Sequence, residues 1–125
     1  MANTITKKTL VNGDRNLVVA VHISGDNSGD ETVYNLIDVS AYGATEVKIM
    51  EIQSNLAGFS AVLSWDASTD VEAVTLLDGA SFFDWYPEGG LINNAGSGKT
   101  GDLLMATSGL AAEDGTLVIK MRKRT

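Results

Sequence analysis

Residues Arg15–Ser24 read RNLVVAVHIS, and their alternation decides the fold class. Leu17, Val19, Val21 and Ile23 fall on one face of an extended chain, with Val18, Ala20 and His22 on the other. That pattern predicts a strand buried on one side and half-covered on the other. The same period returns in Gly58–Asp66 (GFSAVLSWD), which points Phe59, Ala61, Leu63 and Trp65 inward. It returns again in Thr116–Arg122 (TLVIKMR), which points Leu117, Ile119 and Met121 inward and Lys120 and Arg122 outward. Further strands are expected at Thr4–Val11, Thr32–Val39, Thr45–Gln53, Val71–Leu77 and Asp102–Ser108. Within Thr45–Gln53 the apolar set shifts phase from Val47 and Ile49 to Met50 and Ile52, as a bulge or a strand buried on both faces requires. Turn residues separate the runs: Asn12-Gly13-Asp14, Gly25–Asp30, Asp66–Asp70 and Glu113-Asp114-Gly115. Ser54–Gly58 and Leu77–Phe83 each admit one short helical turn, and no stretch carries a capped helical period. The expectation is an all-β chain: one antiparallel β-sandwich domain over residues 1–125, jelly-roll-like, with about eight strands.

Composition narrows the function. A chain of 125 residues is one domain, long enough to bury roughly two thirds of its unfolded surface without staples. The absence of cysteine excludes disulfides, thiolate metal sites and cysteine nucleophiles. A single histidine, His22, excludes a His-rich metal site and reads as structural. The opening MANTITKK has no apolar segment or cleavage site of a secretory signal. The longest unbroken apolar run, Leu17–Val21, has five residues, where a membrane helix needs about 20. A soluble protein made in the cytoplasm, with no membrane contact, is expected. Net charge is −7, which argues against nucleic acid as a partner of the protein body.

The charges are segregated. Lys7, Lys8 and Arg15 stand near the start, and Lys120, Arg122, Lys123 and Arg124 near the end. Between residues 16 and 119 only Lys48 and Lys99 oppose fifteen acids, a net of −13. The basic ends either solubilise the chain or act as short arms that dock on an acidic neighbour, including another copy of the chain.

Several motifs suggest chemistry and fall short of it. Gly98-Lys99-Thr100 resembles the end of a phosphate-binding loop, but position 93 is Asn rather than Gly and no helix follows. Gly89–Gly101 therefore reads as a long flexible connection. Asp26, Ser28 and Asp30 have the first spacings of a calcium loop, but position 12 is Ile37 rather than a bidentate Glu. Asp66 and Asp70 read as two solvated acids in a turn. No catalytic, cofactor or metal site is expected, and the chain is not read as an enzyme. The oddity is Phe82-Phe83-Asp84-Trp85-Tyr86, which holds four of the eight aromatic residues. As a strand it would split Phe82 and Asp84 from Phe83 and Trp85, so the strand is covered on both faces or part of it anchors a protein partner.

A family resemblance joins these blocks. Thr6–Val11 with Gly13–Val19, Gly58–Ala61 with Trp65–Ala67, Gly89-Gly90 with Asn93-Asn94, and Gly101–Leu103 with Thr107–Leu110 before the basic end are similar to small virion structural proteins of tailed bacteriophages. The chain resembles the capsid decoration, or cement, type. The resemblance implies a β-sandwich on the capsid surface of the virion. It would bind the major capsid protein, associate with itself as a homodimer or homotrimer, and stabilise contacts between capsid subunits. The residues expected at such contacts are Lys7, Lys8, Arg15, Phe82, Phe83, Trp85, Tyr86, Arg122, Lys123 and Arg124, and the Gly89–Gly101 loop is a further candidate for the capsid contact. The alternatives are a tail or fibre component that binds host-surface glycans or a neighbouring tail protein, and a small hydrolase built on acidic residues.

Overall fold

The computed structural model describes residues 3–27 and 29–124. Its strands are β1 (Thr4–Asn12), β2 (Asn16–Ser24), β3 (Tyr34–Ile37), β4 (Glu46–Leu56), β5 (Ser60–Trp65), β6 (Val71–Leu76), β7 (Gly79–Asp84), β8 (Leu103–Ser108) and β9 (Asp114–Arg124). They form a five-stranded sheet in the order β1-β2-β9-β4-β7 and a four-stranded sheet in the order β3-β8-β5-β6. Every ladder is antiparallel.

The order has a simple origin. β5 pairs with β6, β4 with β7, β3 with β8 and β2 with β9. These are the successive rungs of one long hairpin whose tip is the β5–β6 turn. Rolling that hairpin into two layers sends its rungs alternately to the two sheets, which is the jelly roll. β1 adds an outer strand beside β2.

The apolar faces predicted from alternation meet between the sheets. Leu17, Val19, Val21 and Ile23 oppose Phe59, Ala61, Leu63 and Trp65 in one core, with Leu117, Ile119 and Met121 beside them. Trp65 is fully enclosed. Truncating a buried Trp to Ala typically costs about 3–5 kcal/mol.

The phase shift in β4 is a bulge. The β4–β9 register slips between Ile49 and Glu51, so Ile49 and Met50 are both buried. Lys48 pairs with Arg122 and Glu51 with Lys120, so both stay on the outer face although they lie three positions apart. The extra residue therefore keeps Lys48 on the basic side of the sheet.

Three local expectations are corrected. The ninth strand, β7, occupies Gly79–Asp84, where the sequence admitted a short helical turn over Leu77–Phe83. It pairs with β4 from Glu51 to Leu56, which also makes strand rather than helix of Ser54–Leu56. The partners lie far apart in sequence, so no local pattern announces the pairing. The strand expected over Thr32–Val39 shortens to Tyr34–Ile37, because Asp38 caps a 3-10 turn at Val39–Tyr42 by accepting from Ser40 N.

Candidate docking surface

One corner of the five-stranded sheet gathers the basic residues. The register sets Asn16 opposite Arg122, Arg122 opposite Lys48, and Glu46 opposite Arg124. The start of β2, the end of β9 and the start of β4 thus meet at one place. Arg15, Lys48, Lys99, Arg122, Lys123 and Arg124 line a cleft of about 440 Å³ there, with Glu46, Val47, Ile92 and Asn93. Six of the chain's nine cations converge on it, including both of the lysines that interrupt its acidic middle.

Among the described residues, Glu46 is the only carboxylate lining the cleft. Its Oε2 lies 3.1 Å from Lys99 Nζ and its Oε1 3.0 Å from Arg124 Nη1. Burial works to raise its pKa, but the hydrogen bonds and charges of Lys99 and Arg124 hold it below the usual Glu range. Lys123 donates to Asn12 Oδ1. Arg122 stands over the Tyr86 ring, 5.9 Å from its centroid. Next to the cleft, Lys120 pairs with Glu51 at 2.9 Å, and that contact raises the Lys120 pKa.

The far wall is the chain between β7 and β8. It is tied down, which corrects the expectation of a loose connection. Leu91 and Ile49 exchange backbone hydrogen bonds at 2.7 and 3.0 Å. Ser68 N donates to Ser97 O, and Thr100 donates to Asp66 through both its backbone N and its hydroxyl. Two glycines permit this close seating. Gly90 has φ of 105° above Met50 and Lys48, and Gly101 has φ of 90° where an added Cβ would lie 2.0 Å from Thr45 O. Asn93 Oδ1 accepts from Ala95 N, which fixes the amide, while its Nδ2 is enclosed without a hydrogen-bond partner among the described residues.

The named contact residues divide. Arg15, Arg122, Lys123 and Arg124 meet at the cleft; Lys7 and Lys8 do not. The basic ends are strands rather than free arms: Lys7 and Lys8 pair with Val21 and Ala20 in mid-β1, and β9 lies between β2 and β4. Lys7 Nζ donates to Leu36 O and lies 5.4 Å from the Tyr34 ring centroid, bridging the sheets at their edge. Burial raises the Tyr34 pKa, with a contribution from Glu31. Lys8 lies on the outer face in a row with Ala20, Val118, Gln53 and Phe82.

The aromatic segment splits by alternation and is covered on one face only, which corrects the reading of a strand covered on both. Phe83 and Trp85 stack at 5.5 Å and pack on the core, leaving Phe82 and Tyr86 exposed on the outer side. Phe83 and Trp85 are therefore packing residues first, and Phe82 and Tyr86 supply the accessible apolar surface.

The rejected motifs have structural work. Lys99 is held by Glu46 and Thr100 by Asp66. Asp30 accepts from Leu110 N at 2.7 Å and from Thr107 Oγ1, and these bonds lower its pKa. Ser28, the middle residue of the calcium-like triplet, lies outside the described residues. Asp70 accepts from Ala67 N within its turn. His22 is exposed between Thr6 and Thr116 on the outer face. Among the described residues no group of three His, Cys, Asp or Glu side chains converges as a metal site would need, and no helix is long and apolar enough to cross a membrane.

Sequence reasoning did not single out Lys48, Lys99, Glu46 or Asn93 individually for the surface. A signal existed for the two lysines, which are the only cations in a long acidic stretch.

No protein-family profile matches the chain, and no curated protein sequence matches it. Solved structures with a similar outline include a cupin superfamily protein from Desulfitobacterium hafniense, with TM-score 0.37 and 9% identity over 100% of this chain and 82% of that one. A cobalt(II) HppE in complex with Tris buffer gives TM-score 0.35 and 10% identity over 94% of this chain and 52% of that one. A mutant of a family 29 carbohydrate-binding module gives TM-score 0.37 and 9% identity over 96% of this chain and 85% of that one.

Proposed function

We propose that the protein is a bacteriophage capsid decoration, or cement, protein. It binds the outside of the head and stabilises contacts between major capsid protein subunits. The observation that carries this reading is the convergence of cations from the start, middle and end of an acidic chain on one corner. Tyr86 stands at that corner under Arg122, and Phe82 lies exposed on the same sheet face. A charged rim beside exposed aromatic groups is the anatomy of a protein-docking surface. The sequence resemblance to virion structural proteins supplies the partner.

On this reading the jelly roll is a rigid platform, and the contact is made by folded strands rather than by arms that order on binding. A preorganised surface loses less conformational entropy when it docks. Binding to the assembled shell and not to its dissociated subunits stabilises the shell by mass action. Self-association into a dimer or trimer would add avidity for neighbouring capsid subunits.

Co-sedimentation with expanded, decoration-free capsids tests the proposal. Saturable binding at a fixed ratio to the major capsid protein is expected. Protein that stays in the supernatant and is found instead on tails would overturn the cement reading in favour of a tail component.

A further inference from the structure

We infer that the basic cleft is a carboxylate-binding site that receives an acidic polypeptide segment of a partner, with Arg122, Lys48 and the Asn93 side-chain amide as its donors. The inference rests on the reading of the protein as one that docks on another, and it specifies the chemistry of what is docked.

Glu46 already shows what the cleft holds: a carboxylate between two cations. One of its oxygens faces Arg124 and the other Lys99, and no third cation pairs with it among the described residues. Among the described residues, Arg15, Lys48, Arg122 and Lys123 have no carboxylate at ion-pairing distance. Four like charges around one cleft repel each other, and an incoming carboxylate relieves that repulsion.

Asn93 adds an independent sign. Its carbonyl oxygen is committed to Ala95 N, so the amide cannot rotate freely, and its Nδ2 is enclosed without an acceptor among the described residues. An enclosed donor with no partner is unfavourable, and a ligand oxygen removes that cost. The wall bearing Asn93 is pinned through Leu91 to Ile49, so the donor is placed before the ligand arrives.

The surroundings favour an acidic peptide over nucleic acid. A chain of net charge −7 repels an extended polyanion outside the cleft, while a short acidic segment seats wholly within the local positive field. The exposed Ile92 at the rim offers an apolar contact to a neighbouring peptide side chain.

The test uses hexaglutamate as the probe, titrated into the full chain and followed by NMR of side-chain amide and guanidinium groups and by calorimetry. The Asn93 amide and Arg122 guanidinium signals should shift on binding. Asn93→Asp should abolish binding, Asn93→Ala should weaken it several-fold, and Arg122→Ala about tenfold, the usual size of a lost charge-assisted hydrogen bond. Joint replacement of Lys7 and Lys8 by Ala should leave binding unchanged. Binding that ignores Asn93 and Arg122, or that falls equally in the Lys7 and Lys8 variant, overturns the site. Tighter binding of an oligothymidylate of equal charge overturns the peptide assignment.

The two readings fail separately. Hexaglutamate binding in the cleft without capsid sedimentation overturns the cement proposal and supports this one. Capsid sedimentation without hexaglutamate binding overturns this one and leaves the cement proposal standing.

Discussion

The two ends of the sandwich carry opposite charges and use them differently. At the far end, the loops after β2, β6 and β8 hold Asp30, Glu31, Asp78 and Glu113. Asp30 accepts from Leu110 N, Asp78 from Gly58 N and Glu113 from Ala111 N, and Glu31 accepts from the Asn3 amide. These carboxylates satisfy loop donors that would otherwise be unpaired, so their charge follows from holding loops in place. At the basic corner, Glu46 binds two cations, and four others have no carboxylate partner among the described residues. A cluster of acids can thus be structural while an equally dense cluster of cations is available to a partner. The test of a charged patch is whether its groups are already used.

Replacements at the two ends should sort accordingly. The largest effect is expected from Gly101→Ala, because the corner is built on close backbone packing. The new Cβ would meet Thr45 O at 2.0 Å in a left-handed backbone conformation, a loss of about 2–5 kcal/mol in a denaturant titration. Thr107→Val at the acidic end comes next. Thr107 Oγ1 accepts from Glu31 N and donates to Asp30, and the side chain is 8% exposed. An orphaned donor there should cost about 1–3 kcal/mol. A Thr107→Val protein as stable as the parent would break the claim that this end is held by its hydrogen bonds.

Acid titration separates the ends further. The Asp30 pKa is lowered from 3.8 by its loop donors. A depressed carboxylate contributes stability that is fully present above its unfolded pKa and is lost as pH falls through its folded one. The stability gap between the parent and Asp30→Asn should therefore be widest above pH about 4 and narrow below it, read from thermal midpoints across pH. Glu46, lowered from 4.5 by Lys99 and Arg124 against the opposing effect of burial, should add to the same acid-side loss.

The smallest stability effect is expected from joint replacement of Arg122 and Lys123 by Ala. Surface changes away from caps and core usually stay within about 0.5 kcal/mol. The pair should leave the denaturation curve nearly unmoved while partner binding falls. A large loss of stability would make the corner structural and erase the contrast between the ends.

Much of this was legible from alternation. Leu17 to Ile23, Phe59 to Trp65 and Leu117 to Met121 lie inward as their period predicts, because one-sided burial leaves a period of two in the sequence. The bulge in β4 showed as a shift of phase. β7 was not legible as a separate strand, since Leu76 and Leu77 run up to Gly79 and blur the period, and its partner β4 lies far back in the chain. The site was half legible. Arg15 and the β9 cations share a corner because β2 and β9 are antiparallel neighbours. Lys7 and Lys8 are removed from it because β1 pairs them at mid-strand. Lys48 and Lys99 reach the corner only through the β4–β9 register and the folding-back of the segment before β8, and local sequence encodes neither.

The most direct test of the docking account is capsid co-sedimentation run on three proteins side by side: the parent, a cleft variant with Lys48 and Arg122 replaced by Ala, and Thr107→Val from the acidic end. The account predicts saturable binding for the parent and for Thr107→Val held below its lowered melting point, and loss of binding for the cleft variant at unchanged stability. Equal occupancy of capsids by all three proteins would contradict it.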